Sequence, residues 1–288
     1  MTRILHLSDP HFGAADPAIA KVFLERAAAM RPDLALLSGD LTMRARRSEL
    51  AAAREFVERL PEPCLVIPGN HDIPLINHPF DRFFRSFRRY QETFGDELEP
   101  ELVVAGVHVV SMNSSRAFGF HSDWSEGRVS RHKLARVQEK FHNGPSDHCR
   151  VLMLHHPLLA LQIPGRAVVK PLRMLLETLE TARIDLVTCG HFHRSQIRAT
   201  GLSGNWKSII SQAPTVCSTR LQGEPQGFHE IRVTADRIEA VHHVYQQGAF
   251  TEAGSWAFAR GENGWNDAPV ARLSEAGDYP TISADAPR

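Results

Sequence analysis

The sequence predicts an α/β fold whose polar chemistry gathers at the ends of its strands. Short apolar runs typical of buried strands alternate with amphipathic stretches of helical period. Five of these runs are each followed directly by a short polar motif; they span residues 4–8, 34–38, 64–68, 151–154 and 184–189. Because open α/β sheets bind their ligands at the carboxyl ends of strands, we expect the five motifs to meet at one site.

The remaining elements follow in order along the chain. Helical patterns cover 18–30, 47–60 and 168–181, and a further strand is predicted over 107–112. After His193 the pattern becomes mainly strands, with a hairpin in which 228–233 turns at 234–236 into 238–244. A chain of 288 residues that is 42% hydrophobic can bury one sizeable core. We therefore predict one catalytic domain over 1–253 and a poorly structured polar tail over 254–288, where Gly, Asn, Asp and Pro accumulate.

The polar motifs carry oxygen and nitrogen donors suited to metal ions. They read Asp9-Pro10-His11, Gly39-Asp40, Gly69-Asn70-His71-Asp72, His155-His156-Pro157 and Gly190-His191-Phe192-His193. Asp, His and Asn suit iron, manganese or zinc, and the absence of cysteine from the motifs argues against a closed thiolate site. In the pairs Asp9/His11 and His191/His193 the spacing of two places both side chains on one face of extended backbone.

Two metals sharing a carboxylate predict the hydrolysis of phosphoesters. A carboxylate such as that of Asp40 could bridge two cations roughly 3.5 to 4 Å apart, which generates a hydroxide nucleophile at neutral pH and clamps a phosphoryl oxygen.

At these motifs the chain resembles the calcineurin-like metallophosphoesterase superfamily, over about residues 3–245, and within it the bacterial cyclic-nucleotide phosphodiesterase-like branch. The resemblance implies a four-layer α/β/β/α sandwich, with two mixed β-sheets flanked by helices. It also implies two metal ions, divalent or trivalent: the first held by Asp9, His11, Asp40 and His193, the second by Asp40, Asn70, His155 and His191.

The resemblance gives His71 the role of general acid at the leaving oxygen. Of the adjacent pair, His155 is the preferred ligand, because family members with His-x-Pro here ligate through the residue two before the proline. His156 is then expected to support the ligands.

One motif departs from the phosphatase members of the family. Many of these read Gly-Asp-x-x-Asp-Arg-Gly, and their second Asp orients the catalytic histidine. Here Met43 stands in that position, which weakens the protein-phosphatase interpretation and leaves the partner of His71 unidentified. Asp72 is not assigned to that role, because successive residues of an extended segment point apart.

Charge and hydropathy limit the partners. Thirty-three basic residues balance thirty-three acidic ones, so no net field attracts a polyanion, and long nucleic acid is a disfavoured partner. The chain starts straight into its first strand without a signal-peptide pattern, and no apolar run approaches the length of a membrane span. We expect no membrane association and a cytoplasmic location.

Other aromatic and histidine residues have simpler interpretations. The aromatic residues between Phe80 and Phe94 follow one helical stripe, for which core packing is favoured over a lid or a homodimer face. Eight further histidines are expected to be ordinary surface or core residues: His6, His108, His132, His142, His148, His229, His242 and His243.

The sequence thus predicts a dimetal phosphodiesterase that acts on a small soluble phosphoester, with a cyclic nucleotide as the leading substrate class. The alternatives among enzymes are a phosphomonoesterase and a lipid-precursor pyrophosphatase. The alternative of another class is a non-catalytic scaffold on the same fold, which is disfavoured because His71 and every expected ligand are in place.

Overall fold

The computed structural model describes residues 1–116, 126–159, 168–200 and 206–270. Within these ranges the chain forms thirteen strands and six helices. In chain order they are β1 Thr2–Leu7, α1 Pro17–Met30, β2 Leu34–Leu37, α2 Arg47–Val57, β3 Cys64–Val66, α3 Pro79–Phe84, α4 Arg88–Phe94, β4 Glu101–Val104, β5 Val107–Ser111, α5 Arg131–Asn143, β6 Cys149–Met153, α6 Leu172–Thr181, β7 Leu186–Cys189, β8 Gln196–Thr200, β9 Ser208–Gln212, β10 Gly227–Val233, β11 Arg237–Gln246, β12 Ala249–Gly261 and β13 Gly264–Ala268.

The strands form two mixed sheets. The larger sheet has the order β13-β12-β11-β10-β1-β2-β3, and the smaller sheet has the order β4-β5-β6-β7-β9-β8. Strands β1, β2 and β3 run parallel, as do β5, β6, β7 and β9, whereas the remaining pairs are antiparallel. The first group reaches the edge of the larger sheet at β3, whereas the second lies inside the smaller sheet. Both groups present the carboxyl ends that the motifs follow.

Three apolar clusters show that the fold has four layers. One lies between the sheets and contains inward side chains of both, such as Ile4 and Val151. The second packs α1, α2 and α4 on the outer face of the larger sheet, and the third packs α5 and α6 on that of the smaller sheet. Successive β1 residues alternate between the first two clusters, as Ile4 and Leu5 do. The predicted α/β/β/α sandwich is confirmed.

The predicted helices are present, with boundaries set by local chemistry. Helix α1 begins where Asp16 accepts hydrogen bonds from the backbone N–H groups of Ala18 and Ile19, and ends at Arg31 in the left-handed conformation. Helix α6 begins at Leu172 rather than Val168, because Pro171 precedes it as the capping residue. The hairpin of β10 and β11 is confirmed. Among the described residues, no helix is long and apolar enough to cross a membrane.

The prediction of a poorly structured tail from Gly254 is wrong for residues 254–268. These residues belong to β12 and β13, which extend the larger sheet at its edge. Trp265 is fully buried in the cluster between the sheets, and its indole N–H donates to Asp185 at 2.9 Å. The polar composition misled the sequence interpretation because an edge strand can bury one side chain and leave its neighbours exposed. Residues 271–288 of the predicted tail lie outside the described residues.

The aromatic stripe between Phe80 and Phe94 does not form a single buried helix. It is divided between α3 and α4, which ion pairs from Asp81 to Arg88 and Arg89 hold together. Tyr90 is buried, but Phe80 and Phe84 are 59% and 76% exposed, so the prediction of core packing is wrong for that part of the stripe. The sequence also predicts that the loop over 113–121, after the strand at 107–112, lines the rim of the pocket. Residues 117–121 of this loop lie outside the described residues.

We expect Trp265→Ala to lower the free energy of unfolding by about 3–5 kcal/mol, because it leaves a cavity between the sheets and removes one hydrogen bond to Asp185. Urea denaturation followed by circular dichroism measures this change. Val270→Ala, at a side chain that is 44% exposed, is the control and should stay within about 0.5 kcal/mol of the parent. A Trp265 variant as stable as the control would show that β13 adds nothing to the core.

Candidate metal centre

The seven predicted ligands meet at the carboxyl ends of five strands, and both sheets contribute. The larger sheet supplies Asp9 and His11 after β1, Asp40 after β2 and Asn70 after β3; the smaller sheet supplies His155 after β6 and His191 and His193 after β7. All seven side chains are buried, the most accessible being His191 at 7%. The structure therefore brings together all the residues that the sequence grouped, and their ligation of metal stays a prediction.

Asp9, His11 and His193 form the first group. The Nε2 atoms of His11 and His193 lie 2.9 Å apart, and Asp9 Oδ1 lies 3.3 Å from the Nε2 of His193. Asp40 Oδ2 lies 3.6 Å from the Nε2 of His11.

Asp40, Asn70 and His155 form the second group, which His191 adjoins. His155 Nε2 lies 3.4 Å from Asp40 Oδ2 and 3.2 Å from Asn70 Oδ1. A ligand atom of His191 lies within 4.8 Å of ligand atoms of His155 and His156. Asp40 Oδ2 is near histidines of both groups, the position expected of a shared carboxylate.

The hydrogen bonds of the rings show that these residues fit a metal ion. The Nδ1 atoms of His11 and His193 face the backbone carbonyls of Thr42 and Arg220 at 3.2 and 2.6 Å. A carbonyl can only accept a hydrogen bond, so both Nδ1 atoms carry protons, and in neutral rings both Nε2 lone pairs face each other. Two Nε2 atoms at 2.9 Å need a positive charge between them, which is either a proton in an N–H···N hydrogen bond or a metal ion. Asp9 Oδ1, beside them, has no hydrogen-bond partner among the described residues.

The charges of the carboxylates suit a cation as well. Burial by itself raises the pKa of Asp9 and of Asp40, but the neighbouring histidines lower both pKa values well below the usual range. His193 acts most strongly on Asp9, and His155 on Asp40. Burial lowers the pKa of His11 to about 4, against the opposing effect of Asp9. Burial also lowers the pKa of His155, but the neighbouring Asp40 outweighs this effect and raises that pKa to about 9. The two carboxylates are thus ionised, as metal ligation requires, and a metal ion would displace the proton of His155.

His155 is oriented in the same way. Its Nδ1 donates to the carbonyl of Ser38 at 2.7 Å, so its Nε2 is directed at Asp40 and Asn70. His156 instead directs its Nδ1 to the hydroxyl of Ser114 at 2.8 Å. This geometry supports His155 over His156 as the ligand. The ring of His156 lies beside that of His191, with 4.7 Å between the ring centroids.

The backbone of the ligand-bearing loops is unusual. Five of the ligands have positive φ angles, a conformation that residues other than glycine rarely adopt: Asp9, His11, Asp40, His191 and His193. Two glycines permit the close approach of these loops. A Cβ atom at Gly69 would collide with Asp40 Oδ1, and one at Gly190 would collide with the hydroxyl of Ser8. The sequence therefore needs glycine in the third and fifth motifs for steric reasons.

Asp72 joins the second motif to the third, a role that sequence reasoning missed. Its carboxylate accepts hydrogen bonds from the backbone N–H groups of Gly69 at 2.8 Å, Leu41 at 3.1 Å and Thr42 at 2.8 Å. Burial and the charge of Asp40 raise the pKa of Asp72 to about 7, against the opposing effect of these hydrogen bonds. Asp72 could have been recognised from its place at the end of the Gly-Asn-His-Asp motif. A carboxylate so close to a turn commonly accepts hydrogen bonds from backbone N–H groups.

The structure identifies the partner that orients His71. Its Nδ1 donates to the backbone carbonyl of Met43 at 2.8 Å, and its backbone N–H donates to Asp40 Oδ1 at 2.8 Å. The backbone carbonyl of Met43 thus orients His71, as the Asp at this position does in phosphatase members of the family. On the other side of the ring, Nε2 lies 3.4 Å from Nη1 of Arg220. Met43, His71 and Arg220 are partly exposed and form the rim of the buried centre.

Two buried histidines behind the centre bridge the sheets. His6 on β1 contacts the hydroxyls of Ser38 and Ser211 at 2.9 and 2.8 Å. Ser211 on β9 also contacts His229 on β10, whose other ring nitrogen reaches Ser195 at 2.9 Å. Burial lowers the pKa of His6 to about 3 and that of His229 well below its usual value. Both rings are therefore neutral parts of a buried hydrogen-bond network, and no local motif marks them in the sequence.

Residues 2–195 match a family model described as calcineurin-like phosphoesterase. The chain belongs to this family. The resemblance predicted from the motifs is thereby confirmed, and the order and spacing of the five motifs were sufficient to recognise it.

Two curated relatives of this chain are named as phosphodiesterases. One, a probable cyclic nucleotide phosphodiesterase of a Synechococcus strain, is 27% identical over 178 residues, which cover 60% of this chain and 62% of the relative. The other, a probable glycerophosphodiester phosphodiesterase of Arcobacter nitrofigilis, is 27% identical over 171 residues, which cover 57% of this chain and 58% of the relative. The match thus spans less than two thirds of either relative.

A solved structure is similar over most of this chain. The purple acid phosphatase from yellow lupin seeds gives a TM-score of 0.67 at 11% identity, covering 95% of this chain and 57% of that chain. At this identity the likeness concerns the fold alone.

We expect Asp40→Ala to lose bound metal and at least about a hundredfold in phosphoester hydrolysis, because the carboxylate lies between both ligand groups. Elemental analysis of the purified protein measures occupancy directly. Asp147→Ala, at a side chain that is 85% exposed, is the matched control and should keep its metal. Full activity of the Asp40 variant, or of the parent after exhaustive chelation, would contradict a metal centre at this place.

Proposed function

We propose that this phosphoesterase hydrolyses small soluble phosphodiesters, such as cyclic nucleotides, at a two-metal centre with His71 as general acid. The observation that carries the proposal is the position of Asp40. One carboxylate oxygen, Oδ2, lies near histidines of both ligand groups, while the other, Oδ1, accepts the backbone N–H of His71. The proposed metal ligands and the proposed proton donor are therefore fixed to one another through a single side chain.

The residues divide into two ligand sets. Asp9, His11, Asp40 and His193 hold the first cation, and Asp40, Asn70, His155 and His191 hold the second. Such a pair of bound cations supplies Lewis-acid activation of water and of the phosphoryl group at neutral pH. Carbonyl contacts to the Nδ1 atoms of His11, His155 and His193 keep the Nε2 atoms of these rings directed at the centre.

His71 is suited to protonate the leaving oxygen. Its Nδ1 donates to the carbonyl of Met43, so Nε2 is the nitrogen that can pass a proton to a substrate. The ring is partly exposed at the rim, and its centroid lies 4.8 Å from that of the buried ligand His11. A phosphoester at the centre can thus place its leaving group toward solvent, beside His71.

Several observations support a phosphodiester as the substrate. Both curated relatives are named as phosphodiesterases, one of them for cyclic nucleotides. Met43 replaces the acid of the protein-phosphatase motif, and the balanced net charge gives no general attraction for long polyanions. The alternatives are a phosphomonoesterase, a lipid-precursor pyrophosphatase and a non-catalytic scaffold, and the test below separates the first and the last of these from the proposal.

A substrate panel tests the proposal on the metal-loaded protein. We expect bis(p-nitrophenyl) phosphate and 2′,3′- or 3′,5′-cyclic nucleotides to be hydrolysed with higher catalytic efficiency than phosphomonoesters, phosphopeptides or duplex DNA. Asp40→Ala controls for contaminating activity. A preference for monoesters or duplex DNA would contradict the phosphodiester assignment, and metal binding without turnover of any ester would favour the scaffold.

Replacement of His71 tests the general acid. His71→Ala should slow alkyl phosphodiesters by roughly a hundred- to ten-thousandfold and p-nitrophenyl esters far less, because a stable leaving group needs no proton. Steady-state kinetics on the two ester classes, with metal content measured in parallel, give the comparison. His132→Ala, at an exposed surface histidine, is the matched control. Equal losses on both classes would mean that His71 acts by positioning or by supporting the metals.

A further inference from the structure

Arg220 lies at the rim of the centre but outside all five motifs. Its guanidinium Nη1 is 3.4 Å from the Nε2 of His71 and 3.5 Å from the sulfur of Met43. The backbone carbonyl of the same residue accepts the Nδ1 proton of the predicted ligand His193. Arg220 therefore contacts the predicted ligands through its backbone and the proposed general acid through its side chain.

The guanidinium of Arg220 has no carboxylate partner among the described residues. Some other partly buried arginines do have one: Arg89 pairs with Asp81 at 2.8 Å, and Arg232 pairs with Glu230 at 2.8 Å. The two side-chain contacts of Arg220 are to a thioether sulfur and to an imidazole, both weak or conditional acceptors. Since arginine stays charged in proteins, a full positive charge with unused donors faces the opening of a site that takes an anion.

Nη1 of Arg220 and Nε2 of His71 lie side by side at the rim, 3.4 Å apart. A phosphoester can meet both atoms with two oxygens of one phosphorus atom, the leaving oxygen and a neighbouring non-bridging oxygen.

We propose that Arg220 binds a non-bridging phosphoryl oxygen of the substrate and holds the leaving oxygen against His71. This inference rests on the proposed phosphoesterase function and names a further substrate-binding residue for it. The planar fork of a guanidinium matches the oxygens of a phosphate and forms charge-assisted hydrogen bonds with them.

The segment that carries Arg220 is anchored independently of its side chain. The backbone N–H of Arg220 donates to the hydroxyl of Ser218 at 3.1 Å, and that of Thr219 donates to the carbonyl of Ala14 at 2.8 Å. The contact with His193 also comes from the backbone. A substitution at Arg220 should therefore remove the positive charge and leave the orientation of His193 intact.

The test compares Arg220→Gln and Arg220→Lys with the control Arg198→Gln, at an exposed arginine on β8. We expect Arg220→Gln to lower kcat/KM for bis(p-nitrophenyl) phosphate by about 10- to 100-fold, the range of one hydrogen bond to a charged group. The dissociation constant of inorganic phosphate, measured by calorimetry on metal-loaded protein, should rise by a similar factor. Arg220→Lys should recover part of both losses, since it keeps the charge and loses the fork. Metal content and thermal stability should match the control.

Each outcome decides the proposal. Phosphate affinity and kcat/KM within twofold of the control would overturn it, and so would a loss of activity that follows a loss of bound metal. If the parent protein hydrolyses no ester, the proposed function fails, while weaker phosphate binding by Arg220→Gln would still support the anion contact. Unchanged phosphate binding in that case would refute it.

Discussion

The candidate centre depends on the interface between the two sheets, because neither sheet carries a complete ligand set. Four ligands follow strands of the larger sheet and three follow strands of the smaller sheet. Separations such as 2.9 Å between His11 and His193 tolerate little sliding of one sheet on the other. Two kinds of contact fix this register. The apolar cluster packs the inner faces together, and hydrogen bonds such as that from His6 to Ser211 cross between them. Apolar packing does not depend on direction, so by itself it would let one sheet slide on the other. Hydrogen bonds are directional, and those of the buried histidines therefore help to fix the position of one sheet relative to the other.

Within that interface, the chemistry of the centre follows from burial. Asp9 and Asp40 are at most 1% exposed, and an ionised carboxylate in such a place must be paired. Histidines serve as the partners, and their Nδ1 contacts to backbone carbonyls direct their Nε2 atoms at the centre. The proton of His155 helps to balance the carboxylates, and bound cations would replace it. His71 and Arg220 lie at the partly exposed rim. Both present hydrogen-bond donors where an anionic substrate would enter.

Sequence reasoning succeeded wherever the signal was local. Buried strands with a polar residue directly after them were found because periodicity and burial act within a few residues, and the hairpin of β10 and β11 was found for the same reason. The family resemblance then supplied the layer order and the ligand sets. Sequence reasoning failed where the decisive contact joins residues that are distant in sequence. Arg220 meets His71 across 149 residues, and His6 meets Ser211 across 205. The buried Trp265 and the exposed Phe84 were misassigned because composition and helical period do not reveal which face of an edge element the fold covers.

The left-handed backbone at five of the ligands has a consequence for how such a chain could change over evolutionary time. A side chain in that conformation is strained by on the order of 1 kcal/mol, and glycine is free of the steric part of this cost. Glycine at Asp9 or Asp40 would relieve this strain, but it would also leave the backbone N–H groups of His191 and His71 without the carboxylates that accept them. These aspartates thus hold neighbouring loops together as well as facing the centre. A lineage that no longer bound metal would therefore not gain stability simply by losing them.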